Sequence, residues 1–106
     1  MHQTGQLLDI RTYRLVPGSG AEFDRIFREH ARPLLERHGI RVLAAGPSLV
    51  DDDLYTLVRS FDSLDERREQ LDGFYGSDEW LESYDAAVTA LIETYHTVVV
   101  PAPSRD

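Results

Sequence analysis

The order of elements written in this sequence predicts an α+β domain, a four-stranded antiparallel sheet with helices on one face. Three observations carry that prediction. β-forming runs and amphipathic stripes follow one another as strand, helix, strand, strand, helix pair, strand, which is the split βαβ arrangement. Gly, Pro, Asp and Ser clusters punctuate most of the junctions. The strands also carry apolar residues on both faces, so a second copy of the chain is expected to cover the sheet face that the helices leave bare.

The first strand is expected over Gln6 to Val16, rich in β-formers. One face holds Leu8, Ile10, Thr12, Arg14 and Val16; the other holds Leu7, Asp9, Arg11, Tyr13 and Leu15. Pro17-Gly18-Ser19-Gly20 stops it, and Ser19 stands three residues before Glu22, the capping-box spacing. A helix is expected from there to His38, with Phe23, Ile26, Phe27, Ala31, Leu34 and Leu35 as its inner stripe and Gly39 as its stop. Pro33 falls inside this helix and removes the bond to the Glu29 carbonyl, which predicts a kink near residues 29 to 33.

Ile40 to Leu49 reads as the second strand, Asp51-Asp52-Asp53 as a polar turn, and Leu54 to Phe61 as the third strand of a hairpin. Ser63 and Glu66 form another capping box ahead of a helix carrying Leu64, Arg68, Leu71, Phe74 and Tyr75. Ser77 caps a further helix, with Asp78 and Glu79 favourable in its first turn. Trp80, Leu81, Tyr84, Ala87, Val88 and Leu91 form its inner stripe. Tyr95 to Val100 is the last strand, and Pro101-Ala102-Pro103 a frayed tail.

With 106 residues the chain accommodates one domain, expected to span 1–106 with an ordered core at about 6–101. A net charge of −8 argues against nucleic acid, whose phosphates demand a basic patch. No cysteine is present for a disulfide, a thiolate metal site or a thiol nucleophile. No run approaches the ~20 apolar residues that span a bilayer, so no membrane association is expected. The opening residues lack a basic stretch followed by an apolar one, so the expected compartment is the cytoplasm.

Several segments, in order, resemble one family. Asp9-Ile10-Arg11-Thr12-Tyr13-Arg14-Leu15 with Pro17-Gly18 is similar to the opening signature of NIPSNAP proteins. Glu29-His30-Ala31, Pro33-Leu34-Leu35 and His38-Gly39 resemble the helix that follows it there. Leu57-Val58-Arg59-Ser60-Phe61, Phe74-Tyr75-Gly76-Ser77 and Glu79-Trp80 are similar to the second half. The resemblance implies a ferredoxin-like fold of the dimeric α/β-barrel superfamily, in which two four-stranded sheets close a barrel between subunits. Related families include cofactor-independent monooxygenases of polycyclic aromatic substrates and haem-degrading enzymes. What carries over is the fold, not a reaction.

His30 lies seven positions after Phe23 and four before Leu34, on the apolar stripe. It reads either as a hydrogen-bonded core residue or as a pocket base, since histidine titrates near neutrality. His38 fits the negative end of its helix, and about 12 Å of helix separates it from His30, too far to share a metal. His96 falls on the last strand and His2 near the start, so no metal site is expected. Asp9, Arg11 and Tyr13 share one strand face, and Tyr55, Leu57, Arg59 and Phe61 share another. If the two faces coincide, the residues form either an Asp9–arginine pair at the subunit interface or a patch that binds an anion or enolate. Phe27, Phe74, Tyr75, Trp80 and Tyr84 are helix-borne aromatics, either core or the walls of a cleft. No phosphate loop, serine-nucleophile motif or metal motif appears, and no cofactor is expected.

The resulting expectation is a homodimer that binds a small apolar or aromatic molecule in a helix–sheet cleft, contacted by Arg11, Phe27, Tyr75, Trp80 and Tyr84. The alternative is a cofactor-independent monooxygenase, isomerase or cyclase acting on an aromatic or polyketide-like substrate. In that version His30 is the acid/base, and Tyr13 and Arg59 contact a carbonyl or enolate.

Overall fold

The computed structural model describes residues 6–103. The expected order of elements is present. Strand β1 spans Leu7–Leu15, and helix α1, Gly20–Ile26, runs through a π-helical segment, Phe27–Ala31, into α2, Arg32–Arg37. Strands β2, Arg41–Pro47, and β3, Leu54–Phe61, form a hairpin. Helices α3, Leu64–Tyr75, α4, Asp78–Ser83, and α5, Asp85–Thr89, lead into β4, Ile92–Pro101. The sheet is antiparallel throughout, in the order β2-β3-β1-β4. This is the ferredoxin-like α+β arrangement.

Pro33 reshapes its helix without an abrupt bend. The Arg32 amide reaches back five residues to the Phe27 carbonyl, and the extra residue in that turn lets Pro33 enter in the first turn of α2. A proline there has no amide to leave unpaired, so the ~3 kcal/mol cost of an interior proline is avoided. The distortion therefore spans residues 27–31, two residues earlier in the chain than the kink expected near residues 29 to 33.

The caps divide. Ser63 Oγ accepts from the Glu66 amide at 3.0 Å, and Glu66 Oε1 accepts from the amide of Asp62, one residue earlier than a capping box requires. Ser77 Oγ accepts from the Trp80 amide. Ser19 is no such cap: its backbone is at φ −92°, ψ −1°, its side chain makes no capping bond, and Glu22 is held by Arg25 at 3.0 Å instead.

The expected second strand stops at Pro47, because Ser48 Oγ accepts from the amides of Val50 and Asp51 and bends the chain into the turn. The last helix is two short ones, broken at Tyr84 (φ −129°, ψ −28°); Leu81, in the first of them beside the inward Trp80, is exposed. Leu64 is likewise exposed. Pro101 belongs to β4, and the Ala102 amide continues the ladder to the Gln6 carbonyl.

The inner stripe of the first helix lies buried against the sheet, with Phe23, Phe27 and Leu35 over Tyr13, Tyr55 and Leu57. The opposite sheet face is different. Register places Leu8, Ile10, Val58, Val98 and Val100 there, half-buried or exposed in the single chain.

Candidate functional site

Strand register brings the two suspected faces together. Asp9 stands opposite Arg59, Arg11 opposite Leu57, and Tyr13 opposite Tyr55, all on the helix-covered side. On the other flank β4 sets Thr97 beside Arg11 and Tyr95 beside Tyr13.

At one end of this face sits a sealed ionic cluster. Asp9 and Arg59 are fully buried, and Asp9 Oδ1 accepts from Arg59 Nη2 at 3.0 Å. Asp9 Oδ2 accepts from Arg67 Nε at 2.7 Å, so α3 closes the pair from above. Burial acts to lower the Arg59 pKa, but the neighbouring Tyr75 oxygen and Asp9 carboxylate outweigh it and hold the group above its ordinary value. The pair is internal to one chain; it does not lie at a subunit interface.

The Tyr75 hydroxyl links this cluster to an open space. Its oxygen accepts from Arg59 Nη1 at 3.2 Å and from Arg11 Nη1 at 3.3 Å. Arg11 Nε donates to Thr97 Oγ1 at 2.9 Å, and its guanidinium lies 4.6 Å from the centre of the Tyr95 ring. Beyond it opens a cavity of about 290 Å³ between the sheet and helices α3 to α5. Arg11, Tyr13, Tyr95 and Ile92 line it from the sheet, and Tyr75, Trp80, Asp85, Val88 and Thr89 from the helical side. A narrow apolar recess of about 30 Å³ shares Tyr13, Tyr75, Trp80 and Val88 with it and reaches in to Phe27 and Leu57.

Two further details fix the walls. Trp80 Nε1 donates to Asp85 Oδ1 at 2.9 Å, which holds the indole and orients the carboxylate at the start of α5. The Tyr13 pKa is pushed up to about 12, first by burial and then by Tyr75, with Arg11 and Arg59 pulling the other way. Near neutral pH Tyr13 is therefore a neutral phenol, able to donate one hydrogen bond.

Comparison with known proteins places this geometry in a family. The NIPSNAP family model matches residues 8–105. The chain belongs to the NIPSNAP family. A NIPSNAP family protein of Agrobacterium tumefaciens str. C58 superposes with a TM-score of 0.86 at 21% identity, over 99% of this chain and 95% of that one. An uncharacterized NIPSNAP domain protein from Burkholderia xenovorans superposes with a TM-score of 0.81 at 17% identity, over 93% and 95%. A putative antibiotic biosynthesis monooxygenase from Caulobacter crescentus CB15 shares the fold, with a TM-score of 0.71 at 19% identity over 95% and 92%. No curated protein matches the chain.

In this NIPSNAP chain, four of the residues singled out from sequence, Arg11, Tyr13, Tyr75 and Trp80, converge on the cavity, and Phe27 lines its recess. Arg59 stands behind Tyr75 in the ionic cluster and is not among the lining residues. His30 and Tyr84 are elsewhere. Expected inward, the His30 side chain is 42% exposed, stacked on Tyr84 at 5.1 Å with Nδ1 3.3 Å from the tyrosine oxygen. The π-helical segment accounts for this: one extra residue per turn keeps Phe27 and Ala31 inward and rotates His30 off the stripe. His38 packs edge-on against Phe74, while His2 lies outside the described residues. Among the described residues no cluster of His, Asp or Glu is arranged to hold a metal, and no helix is long and apolar enough to cross a membrane.

Sequence reasoning missed Arg67, Asp85, Thr89 and Tyr95. Tyr95 was within reach, since alternation along the last strand sets it and Thr97 on one face. Asp85 carried no signal, because its position depends on the break at Tyr84.

Proposed function

We propose that this NIPSNAP-family protein binds a small aromatic molecule in the cavity between helices α3 to α5 and strands β1 and β4. The observation that carries the reading is the lining itself. Tyr13, Trp80 and Tyr95 offer ring surfaces, Val88 and Ile92 offer apolar contact, and Arg11, Tyr75 and Asp85 supply a few placed polar groups. That mixture, at a volume near the ~300 Å³ lower end of ligand pockets, suits a ligand of one or two fused rings. The alternative enzyme reading is less well supported: His30, its acid/base, lies outside the cavity, and Tyr13 retains its proton until strongly alkaline pH.

Trp80 is the single tryptophan, so its indole N–H gives one resolved NMR reporter on the cavity wall. Titration with neutral 2-naphthol is expected to move that resonance saturably. If neither 2-naphthol nor another naphthalene probe moves it at millimolar concentration, the reading is wrong.

The protein is further proposed to act as a homodimer. The support is the apolar sheet face bearing Ile10, Val58 and Val98, the last 55% exposed in the single chain. Light scattering is expected to return about twice the 12.1 kDa chain mass; a monomer at micromolar concentration would rule the dimer out.

A further inference from the structure

The cavity lining carries a guanidinium, Arg11, that forms no ion pair with the carboxylate across from it, Asp85. The chain has eleven arginines and no lysine, and Arg105 lies outside the described residues. Of the ten that remain, nine make an ion pair with a carboxylate; Arg11 makes none among the described residues. In a protein of net charge −8 an unpaired, half-buried guanidinium is not for want of acids. Its partners are instead all neutral: Thr97 Oγ1, Tyr75 Oη and the face of Tyr95.

The surroundings reinforce this. Arg59 and Arg67 share one buried carboxylate, Asp9, and Arg59 meets Arg11 at the Tyr75 oxygen, so the nearest carboxylate to Arg11 on this face is already held by two other guanidinium groups. The Tyr75 oxygen also receives two guanidinium N–H groups. Both of its lone pairs are then engaged, so its own proton must point elsewhere, and Tyr75 is part of the cavity wall. Arg11 and Tyr75 thus present an N–H and an O–H side by side. The one carboxylate in the lining, Asp85, lies on the helical side and is engaged by the Trp80 indole.

Building on the aromatic-ligand reading above, we infer that the ligand is a planar aromatic acid. Its carboxylate sits on Arg11 and the Tyr75 hydroxyl, and its ring lies against Trp80 and Tyr95. A guanidinium and a phenol converging on one anion give charge-assisted bonds about twice as strong as neutral ones. The same pair discriminates against a neutral isostere, which would leave the Arg11 charge buried without a counter-charge.

The test uses 2-naphthoate and 2-naphthamide, which share a ring system and differ in charge, each titrated while the Trp80 indole resonance is followed. The acid is expected to bind about tenfold or more tightly than the amide. Arg11→Gln is expected to remove that preference, and Arg11→Lys to retain part of it. If acid and amide bind equally to the unsubstituted protein, the anion assignment falls while the aromatic cavity stands. If neither binds, both fall. A preference that persists in Arg11→Gln likewise overturns the role given to Arg11. The comparison within the unsubstituted protein decides the matter even if a variant folds poorly.

Discussion

Arg59 and Arg11 occupy the same sheet face, donate to the same tyrosine oxygen, and do different things. Arg59 stands opposite Asp9 and is fully buried; Arg11 stands between Leu57 and Thr97 and borders the cavity. What separates them is the residue across the strand. A carboxylate opposite a guanidinium satisfies it and permits complete burial; an aliphatic and a hydroxyl leave the charge available. One end of the face is thereby fixed as structure and the other remains fit for binding. Tyr75, whose oxygen accepts from both, ties the sealed end to the open one.

Removing the carboxylate is the harshest test of the sealed end. Asp9→Ala leaves Arg59 and Arg67 without their counter-charge, and a buried pair broken on one side costs about 3–5 kcal/mol. Urea unfolding is expected to show a loss of that size. A loss below about 1 kcal/mol would mean that the cluster is not what holds this end together.

Alkaline titration probes the boundary between the two ends, where Tyr13 lies. Its ordinary value of 10 is raised to about 12 in the folded chain, so the folded state keeps a proton that the unfolded state has released. The sign follows: the contribution is complete below pH 10 and is lost as pH rises through about 12. Two units correspond to roughly 2–3 kcal/mol. Tyr13→Phe is expected to flatten that part of the stability curve. An unchanged slope between pH 10 and 12 would show that Tyr13 is not the group responsible.

The fold was legible because its signals are local. Alternation along β1 and β3 set Asp9, Arg11, Tyr13, Tyr55, Leu57 and Arg59 on the right faces, and antiparallel pairing then needed only the correct register. Ser63 and Ser77 marked their helix starts for the same reason. The site was legible in part. His30 departs from the stripe that a uniform helical period predicts, because the backbone takes up an extra residue over 27–31, just before Pro33, and changes phase. Ser19 has the spacing of a cap but does not act as one, because the chain enters α1 already at near-helical angles and its side chain makes no bond to the free amides. Asp85 and Thr89 could not be read at all, since a single backbone break at Tyr84 decides which side of α5 meets the cavity.

The gentlest perturbation tests the contrast from the open end. Arg11→Gln keeps a side chain able to bond Thr97 and removes only a half-exposed charge whose partners are neutral. The directional interactions lost are the stacking on Tyr95, worth about 0.5–1 kcal/mol, and a long 3.3 Å bond to the Tyr75 oxygen, which keeps its bond from Arg59. Urea unfolding is therefore expected to register less than about 1 kcal/mol, several-fold below the effect of Asp9→Ala. The discriminating quantity is the difference between these two variants. If Arg11→Gln cost as much as Asp9→Ala, Arg11 would be as structural as Arg59, and the open end would have no cation to offer a ligand.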